Sequence, residues 1–500
     1  MPQLPTPLGQ AFHTRDYFKT LSLLDRASVL PIVAAAADVR SSPERYSALD
    51  KMTARELFKR IGVTEAVYRD FLEPTLLVAL FAPPEQLSAA ETLNALYYYA
   101  LKTQSSFVRR GFFFFVSALI FFLSLPFSLR LSLSPRIPFP PLQQDVRWCR
   151  GSISERIFAP LADRIRAGGG RILGGTAVER VVVDPKTNSI TSLRAKEVAT
   201  GRAVEVSDLD AVVFAVGVKG MQTLVMDNPE TLGTRDEFSR TMSLKTIDCV
   251  SVRLWFDSPR RTQFPANVLS GFDGEATGGT FFNLNQIQDE YMEPGAVRDR
   301  EKRESFPPPP CRSVGVRCGG REVERGEGGG LNKNLKKKRI RQQEGCVASD
   351  YYGASALLPL PDSILVSRTR ANLEACEPAF RDATLIDSCV ARARGAVTAF
   401  SPGSLSSRPR QETSFANAFV AGDWVRGVED KVSAEGLSQE RALATGLTAA
   451  GLVVGRCGLG RAPVVLRGLR DEPHVAVAKG AAAAARAAAA ALGIRSPFLP

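Results

Sequence analysis

Apolar residues recur at helical spacing through the first third of the chain. Three segments, 41–61, 64–81 and 88–101, each carry a Ser, Thr or Asp whose side chain can accept hydrogen bonds from a first helical turn. The run Ser88-Ala89-Ala90-Glu91 has the form of a capping box, and Pro74 predicts a break or kink in the second segment. We therefore predict a helical N-terminal part whose apolar faces serve core packing first.

After residue 146 the pattern changes to a helix followed by short apolar runs. A helix is predicted at 152–167, with strands at 171–173 and 177–183. The run 208–217 reads Asp-Leu-Asp-Ala-Val-Val-Phe-Ala-Val-Gly, which is typical of a buried parallel strand ending at a glycine. Two alternating runs, 249–256 and 279–283, predict strands of a mixed sheet. Helices and strands in this order indicate an α/β fold.

A short apolar strand near the C-terminus leads into a Gly-Asp turn and then a helix. The strand and turn read Asn417-Ala418-Phe419-Val420-Ala421-Gly422-Asp423-Trp424, and Ser433-Ala434-Glu435-Gly436 opens the helix. A carboxylate at the end of a strand can bind a hydroxyl group, a glycine allows close backbone approach, and a helix N-terminus offers free N–H groups to phosphate. This combination suits a flavin, although Gly-Asp alone also fits an ordinary strand-turn-helix unit.

Two segments look foreign to the rest of the chain. Residues 112–142 are almost entirely Phe, Leu, Ser and Pro, and 111–129 carry no charge over a length that could span a membrane. Residues 298–346 combine a proline run, a glycine-rich run and Lys336-Lys337-Lys338-Arg339. Our hypothesis is that both are translated introns or gene-model errors, because pyrimidine-rich codons encode Phe, Leu, Ser and Pro. A membrane span in the first segment and functional low-complexity insertions remain the alternatives.

The formal charge of +12 does not indicate a specific nucleic-acid partner, because most of it lies in these two segments. The chain has eight cysteines without a CxxC pair and two histidines, which argues against a metal site and a Cys–His nucleophile. Scattered cysteines in a long chain are typical of a reducing compartment. The N-terminus shows neither a secretory signal nor a transit-peptide composition.

Several motifs resemble a known superfamily over about residues 4–455. They are the C-terminal strand-turn-helix, Leu4-Pro5-Thr6-Pro7-Leu8-Gly9, Phe81-Ala82-Pro83-Pro84-Glu85-Gln86-Leu87-Ser88-Ala89, Arg147-Trp148-Cys149-Arg150-Gly151 and Phe400-Ser401-Pro402-Gly403-Ser404. Together they resemble FAD-dependent oxidoreductases of the flavin amine oxidase and phytoene (carotenoid) desaturase superfamily, in its plastid and cyanobacterial branch. The resemblance implies FAD as cofactor and hydride transfer from a lipophilic isoprenoid or carotenoid-type substrate to flavin N5. It also implies a chloroplast location, with peripheral membrane association as a further expectation.

The resemblance assigns cofactor-binding roles to residues but implies no catalytic acid or base. Asp423 would bind the ribityl chain, and Gly422 would let the pyrophosphate approach. Three backbone N–H groups at the helix start, those of Glu435, Gly436 and Leu437, would face the flavin pyrimidine. Ala215 and Gly217 would pass beside the cofactor, and Val178 would contact the adenine through its backbone. Buried strands of any kind would carry Val178 and Ala215 equally well.

The largest departure from the family pattern is the lack of an N-terminal GxGxxG unit. We therefore expect an incomplete Rossmann-like FAD-binding domain of the two-domain flavoprotein type, with an α+β substrate domain. The chain as written would bind FAD weakly, and a truncated, non-catalytic remnant without flavin is the alternative. The predicted parts are a helical substrate-domain part (1–107), an insert (108–143), FAD-domain re-entry (144–235), a substrate-domain sheet (240–297), an insert (298–346), further substrate domain (347–405), the FAD-binding strand-turn-helix (410–456) and an Ala-rich helical appendage (457–500).

Overall fold

The computed structural model describes residues 21–98, 149–269, 278–291, 345–427, 438–460, 473–491 and 493. The chain divides into two compact units, and the described residues fall into both. The first unit comprises Met1–Val146, Gly175–Thr246 and Thr398–Pro500. The second comprises Arg147–Gly174 and Ile247–Val397.

Helices dominate the start of the first unit, as predicted. The segment 41–61 forms two helices rather than one, and the hydroxyl of Thr53 accepts a hydrogen bond from the Glu56 N–H at the start of the second. Among the described residues, the α-helices of the first unit are Leu23–Ala27, Leu30–Asp38, Pro43–Asp50, Ala54–Arg60, Glu65–Val67, Glu73–Ala79, Ala89–Leu96, Val218–Asp227, Asp236–Ser239, Ser438–Cys457 and Pro473–Ala491.

The helical hydrogen-bond pattern changes just before Pro74, while the predicted break or kink at this residue stays a prediction. A π-helical turn, Tyr68–Leu72, separates the helices Glu65–Val67 and Glu73–Ala79. Leu72 and Glu73 keep right-handed helical dihedral angles, so the chain stays helical up to Pro74, which follows the π-helical turn directly.

Only half of the predicted capping box at residue 88 forms. The Ser88 hydroxyl accepts a hydrogen bond from the Glu91 N–H, as a helix cap does. The Glu91 carboxylate does not return to the Ser88 N–H, which instead donates to the Phe400 carbonyl at 2.7 Å. Glu91 binds a buried arginine instead, because a charge buried this deeply needs a charged partner.

Ten strands occur within the described residues. In chain order they are β1 (Thr176–Asp184), β2 (Ser189–Glu197), β3 (Ala203–Ser207), β4 (Val212–Phe214), β5 (Lys245–Phe256), β6 (Ala266–Leu269), β7 (Gly278–Asn283), β8 (Gly345–Tyr352), β9 (Leu385–Ala399) and β10 (Ala418–Val420). The strand predicted at 171–173 is wrong: this glycine-flanked run pairs with no described strand.

In its described part, the first unit contains two sheets that share a hydrophobic core. Strands β1, β2 and β3 form an antiparallel sheet, while β4 and β10 pair in parallel. The expected FAD-binding domain would place 177–183, 212–215 and 418–420 in one Rossmann-like layer system, and the structure puts β1 in a different sheet from β4 and β10. Both sheets nevertheless pack into one cluster, in which Val181 and Ile190 lie with Phe214 and Val420.

The second unit is built around a five-stranded sheet in the order β6-β7-β8-β5-β9. The strands predicted at 249–256 and 279–283 are confirmed as parts of β5 and β7. One face of the sheet packs against the helix Asp362–Cys376 through Val252, Phe281 and Tyr351. The described α-helices of this unit are Ala159–Ala167, Leu284–Ile287 and Asp362–Cys376.

The boundary of the second predicted insert, 298–346, needs a correction. Gly345 and Cys346 belong to β8, where they pair with Phe256 and Trp255 of β5. A side chain at residue 345 would lie 2.4 Å from the Ser258 carbonyl oxygen, so the close approach of the two backbones requires this glycine. The rest of that segment and all of 108–143 lie outside the described residues. The insert hypothesis predicts that Phe107 lies close to Asp145 and Val297 close to Ala348, and this stays a prediction because Phe107, Asp145 and Val297 also lie outside the described residues.

The division of the chain into two units differs from the predicted parts in two places. The helix Ala159–Ala167 falls in the second unit, while the N-terminal helices fall in the first. The predicted appendage is a helix, Pro473–Ala491, that packs on Leu30–Asp38 and places Arg486 in an ion pair with Asp38. The functional roles assigned to these parts stay predictions.

None of the described helices is both long enough and apolar enough to cross a membrane.

Candidate functional site

Parallel pairing of β4 and β10 brings two turns side by side in the first unit. Val212 pairs with Ala418 and Phe214 with Val420, and the Ala421 N–H then donates to the Phe214 carbonyl at 3.0 Å. The residues after each strand therefore leave the same edge of the sheet. Ligands of parallel sheets bind outside this edge, at the carboxyl ends of the strands. The structure thus brings Ala215 and Gly217 next to Gly422 and Asp423, as predicted.

Gly217 marks the start of the ten-residue helix Val218–Asp227. Both Ala215 and Gly217 are exposed, and no heavy atom lies within 4 Å of the position that a Cβ of residue 217 would occupy. No side chain caps this helix start, so its first N–H groups point outward with the positive end of the helix dipole. The turn after β4 therefore has both the space and the donors for an anionic group.

Gly422 is constrained from inside the protein. Its φ is +149°, and a Cβ there would lie 2.8 Å from Trp424 Nε1. The Trp424 indole is fully buried and donates to the Val216 carbonyl at 3.0 Å, which ties the two turns together. The Gly422 N–H donates to the Thr445 hydroxyl at 3.0 Å. Packing of Trp424 alone therefore explains this glycine, and its predicted contact with pyrophosphate stays a prediction.

Asp423 is partly buried beside the helix Ser438–Cys457. Its carboxyl group accepts a hydrogen bond from the Thr398 hydroxyl at 3.4 Å, and its backbone carbonyl accepts one from Arg441 Nη1 at 3.3 Å. Burial raises the pKa of the Asp423 carboxyl above its ordinary value, while the Arg441 charge and the Thr398 hydrogen bond act in the opposite direction. The environment therefore balances desolvation against a neighbouring positive charge.

A buried charge cluster, consisting of Glu91, Arg408 and Arg441, lies next to this turn. The three residues are between 1% and 2% exposed. One carboxylate oxygen of Glu91 binds Arg408 Nη2, and the other lies 3.4 Å from Arg441 Nη2. Both guanidinium groups also lie over the Phe400 ring, at 5.3 and 5.2 Å from its centre. Although burial by itself lowers the pKa of Arg408, the negative charge of Glu91 leaves that pKa raised.

Asp50 fixes the loop that carries Phe400 and Arg408. Its carboxyl group accepts hydrogen bonds from the Ser88 hydroxyl at 2.7 Å and from the Leu405 N–H at 3.1 Å. The Asp50 carbonyl accepts another from the Gly403 N–H at 2.7 Å. Burial raises the pKa of this carboxyl as well, against the effect of the Ser88 hydrogen bond.

The remaining predicted residues lie elsewhere or outside the described chain. Val178 is an exposed residue of β1, next to an irregularity in its pairing with β2, and does not lie on the parallel pair. Glu435, Gly436 and Leu437 lie just before the helix Ser438–Cys457, outside the described residues. The roles of Glu91, Arg408 and Arg441 were not predicted from the sequence, in which only the spacing of Ser88 and Glu91 gave a signal, and that spacing favoured a helix cap.

The donors at the sheet edge fit a flavin nucleotide. Outward N–H groups and open space at Gly217 suit a phosphate, and the carboxyl group at Asp423 suits a hydroxyl of the ribityl chain. No group of three or more metal-ligating side chains is placed to hold a metal ion within the part of the chain that the structure describes.

Comparison with known sequences gives one informative relative. The chain is 24% identical over 251 residues to a probable zeta-carotene desaturase of Synechococcus elongatus. The superfamily resemblance predicted from the motifs is confirmed. The match covers 50% of this chain and 44% of that protein, so the chain spans less than half the length of this desaturase relative. No protein-family model matches the chain.

Likenesses to solved structures are distant. An oxidoreductase from Methanosarcina mazei is 14% identical, with a TM-score of 0.45 over 87% of this chain and 74% of that one. Cyclohexylamine oxidase from Brevibacterium oxydans is 12% identical, with a TM-score of 0.39 over 89% of this chain and 76% of that one. The α/β character with two units is established by the strands and helices described above.

Proposed function

We propose that the chain acts as an FAD-dependent oxidoreductase of the desaturase type on a lipophilic isoprenoid or carotenoid-type substrate. The observation that carries this proposal is the pairing of β4 with β10, which puts an uncapped helix start and a carboxyl group at one sheet edge. The similarity to a probable zeta-carotene desaturase supports the class of reaction and of substrate.

Each described residue of the site has a specific task in this proposal. The helix start at Gly217 binds a phosphate through backbone N–H groups, and Asp423 accepts a hydrogen bond from a hydroxyl of the cofactor. Thr398 and Arg441 hold the Asp423 turn in place. FAD, when bound, supplies the group that accepts a hydride from the substrate. An isoprenoid C–H bond offers no acidic proton, which agrees with a site to which we assign no catalytic acid or base.

Substrate, partners and location follow from the same proposal. A lipophilic substrate would be drawn from a membrane, which favours peripheral association of the protein with the membrane surface. The cyanobacterial origin of the desaturase relative supports a plastid location. These features are expectations of the proposed function and need tests of their own.

Gly217→Ala tests the cofactor site without disturbing the fold. The added methyl group meets no heavy atom within 4 Å, so we expect a loss of stability below about 1 kcal/mol, the range of a change at a helix cap. It fills the space that a phosphate would occupy, so FAD affinity should fall at least tenfold. Asp423→Asn should weaken binding by about 1.5–3 kcal/mol, the worth of a charge-assisted hydrogen bond. Flavin absorbance and fluorescence quenching of the purified full chain measure both changes.

Gly455→Ala is the matched control for Gly217→Ala. A Cβ at residue 455 also meets no atom within 4 Å, but it lies ten residues beyond Thr445 on the helix Ser438–Cys457, about 15 Å along the axis. This variant should bind FAD as the parent does. A colourless parent protein that binds no added FAD would contradict the proposal and favour a flavin-free remnant of the fold. Equal affinities of the parent and of Gly217→Ala would place the cofactor elsewhere.

A further inference from the structure

The helical segment 153–167 of the second unit exposes a stripe of large apolar side chains. A π-helical turn, Ser154–Phe158, continues there into the α-helix Ala159–Ala167. The apolar residues recur every four positions, or after five across the π-helical turn, so they lie on one side of the helix. Their exposed fractions range from 43% to 61%, and the residues are Ile153, Ile157, Phe158, Leu161 and Ile165. A contiguous exposed apolar surface on a folded protein indicates an interaction site.

This segment is not a core helix that shows only its polar side to solvent. Every residue from 153 to 167 is exposed except Ala162. Two more exposed apolar residues, Ile172 and Leu173, follow in the glycine-flanked run after the helix. A helix of about this length is marginal in water unless its apolar face is packed. Within the described part of the chain, the stripe therefore lacks the burial that stabilises an amphipathic helix.

Positive charge accompanies the apolar stripe. Residues 152–173 contain four arginines and two acidic residues, and one of the acidic residues, Asp163, binds Arg166 at 3.0 Å. Glu155 is the other acidic residue. The remaining arginines are Arg156, Arg164 and Arg171. A long arginine stem can lie along apolar surface while its guanidinium group reaches an anion at the edge, so the segment combines an apolar face with a positive border.

The shape and the charge of the stripe favour a lipid surface over a second copy of the chain. Phe158 and Leu161 are the most exposed residues of the stripe and lie at its middle, so the stripe forms a ridge. A fluid lipid layer adapts to a ridge, whereas a folded partner needs a matching groove. Two copies joined through this face would also bring their arginines together, which costs electrostatic energy.

We propose that the stripe of segment 153–167 is a membrane-contact surface, which lies flat in an anionic lipid layer. The apolar side chains would enter the boundary between headgroups and acyl chains, and the arginines would bind lipid phosphates. This contact needs no flavin. Only its use in taking up a lipophilic substrate rests on the proposed function.

Co-sedimentation of the full chain with vesicles tests the surface, without added flavin. The vesicles contain phosphatidylcholine and phosphatidylglycerol in equal parts. Phe158→Ser combined with Leu161→Ser should lower the partition coefficient by about tenfold or more, because the two most exposed apolar side chains are lost. Ile364→Ser combined with Ile386→Ser is the matched control, since it removes two exposed apolar residues elsewhere in the same unit. The control should bind the vesicles as the parent does.

A second variant keeps the apolar stripe and changes only the charge. Arg164→Gln combined with Arg171→Gln should lower binding to the anionic vesicles by about fivefold for each charge removed. Binding to vesicles of phosphatidylcholine alone should not change in this variant. Added salt should weaken binding of the parent to the anionic vesicles, because salt screens the arginines.

Phe158→Trp reports directly on what covers the stripe. On addition of vesicles, its fluorescence should shift to shorter wavelength by more than that of the parent, because the new indole leaves water. The same shift with rising protein concentration and no lipid would identify a second copy as the partner and overturn the inference.

Equal vesicle binding by the parent and by Phe158→Ser with Leu161→Ser would place the membrane contact elsewhere in the chain, and would also overturn the inference. A parent that binds no vesicles would do the same. Vesicle binding that depends on the stripe, in a chain that binds no FAD, would keep the membrane surface and reject the proposed cofactor. FAD binding without vesicle binding would do the reverse.

Discussion

Two partly buried aspartates, one in each unit, show two ways to keep a carboxyl group away from water. Burial raises the pKa of both Asp423 and Asp350 above the ordinary value. Beside Asp423 the structure places the charge of Arg441, whereas Asp350 accepts a hydrogen bond at 2.6 Å from the Ser251 hydroxyl. For Asp423 the largest effect that opposes burial comes from a charge, whereas for Asp350 it comes from a neutral hydroxyl, with a smaller effect from the charge of Arg253.

The setting of Asp350 follows from its place on the central strand β8. It pairs across the sheet with Ser251 of β5 and Thr280 of β7, and Thr280 also contacts the Tyr352 hydroxyl at 3.2 Å. Burial raises the pKa of Tyr352 to about 12 and that of Cys249 to about 11, so both stay protonated near neutral pH. Removal of a neutral hydrogen-bond donor lowers the free energy of unfolding only modestly. Removal of one charge from a buried cluster lowers it more, because an opposite charge is then left buried without compensation.

The largest expected effect comes from Glu91→Ala in the buried charge cluster. This change leaves Arg408 and Arg441 buried without the carboxylate that binds both, so the free energy of unfolding should fall by about 3–5 kcal/mol. Urea denaturation of the full chain, followed by circular dichroism, measures the loss.

An exposed ion pair of the same chemistry provides the control for Glu91→Ala. Glu56 pairs with Arg60 one helical turn away, and both side chains are nearly half exposed. Glu56→Ala should therefore cost only about 0.3–0.5 kcal/mol. Similar losses of unfolding free energy for the two variants would show that burial does not increase the contribution of the cluster's charges to stability.

The sequence predicted the local geometry of the site better than its charges. The apolar run before Gly217 and the run before Gly422 predicted two strands, and parallel pairing then placed their ends together. The Ser88 and Glu91 spacing predicted a cap, but whether Glu91 returns to the backbone or binds Arg408 depends on a contact 317 residues away in sequence. Local propensity carries no information about such a contact. The error for β1 has a similar origin, since alternation of side chains does not specify a partner strand.

A smaller loss is expected for Ser251→Ala in the second unit. The variant removes the hydroxyl that donates to Asp350, so stability should fall by about 0.5–1.5 kcal/mol, and the pKa of Asp350 should rise further because this hydrogen bond lowers it. Ser355 donates to Asp248 at 2.8 Å in an exposed position of the same unit, so Ser355→Ala is the matched control and should cost less. Equal losses would argue against the burial of Asp350 as the cause.

The smallest change in the free energy of unfolding, and the one that depends most on pH, is expected for Asp350→Asn. The asparagine oxygen can still accept the Ser251 hydrogen bond, so at a pH below the ordinary carboxyl pKa of 3.8 the variant and the parent should be almost equally stable. Because the folded pKa of Asp350 is raised, the folded state binds its proton more tightly than the unfolded state does. The parent therefore loses stability as pH rises from 3.8 through the folded pKa, and the variant does not share this loss.

Asp184→Asn should show the opposite pH dependence of stability relative to the parent, and it is therefore the control for the direction of the effect. Hydrogen bonds from the Lys186 N–H and the Thr187 hydroxyl lower the pKa of Asp184, so its contribution is present above the ordinary pKa of 3.8 and is lost as pH falls through the folded value. Urea midpoints measured between pH 3 and pH 8, in steps of about one pH unit, should therefore change in opposite directions relative to the parent as pH increases: the midpoint of Asp350→Asn should rise and that of Asp184→Asn should fall. Parallel curves for Asp350→Asn and the parent would mean that Asp350 titrates alike in both states, and the contrast with the charged surroundings of Asp423 would no longer hold.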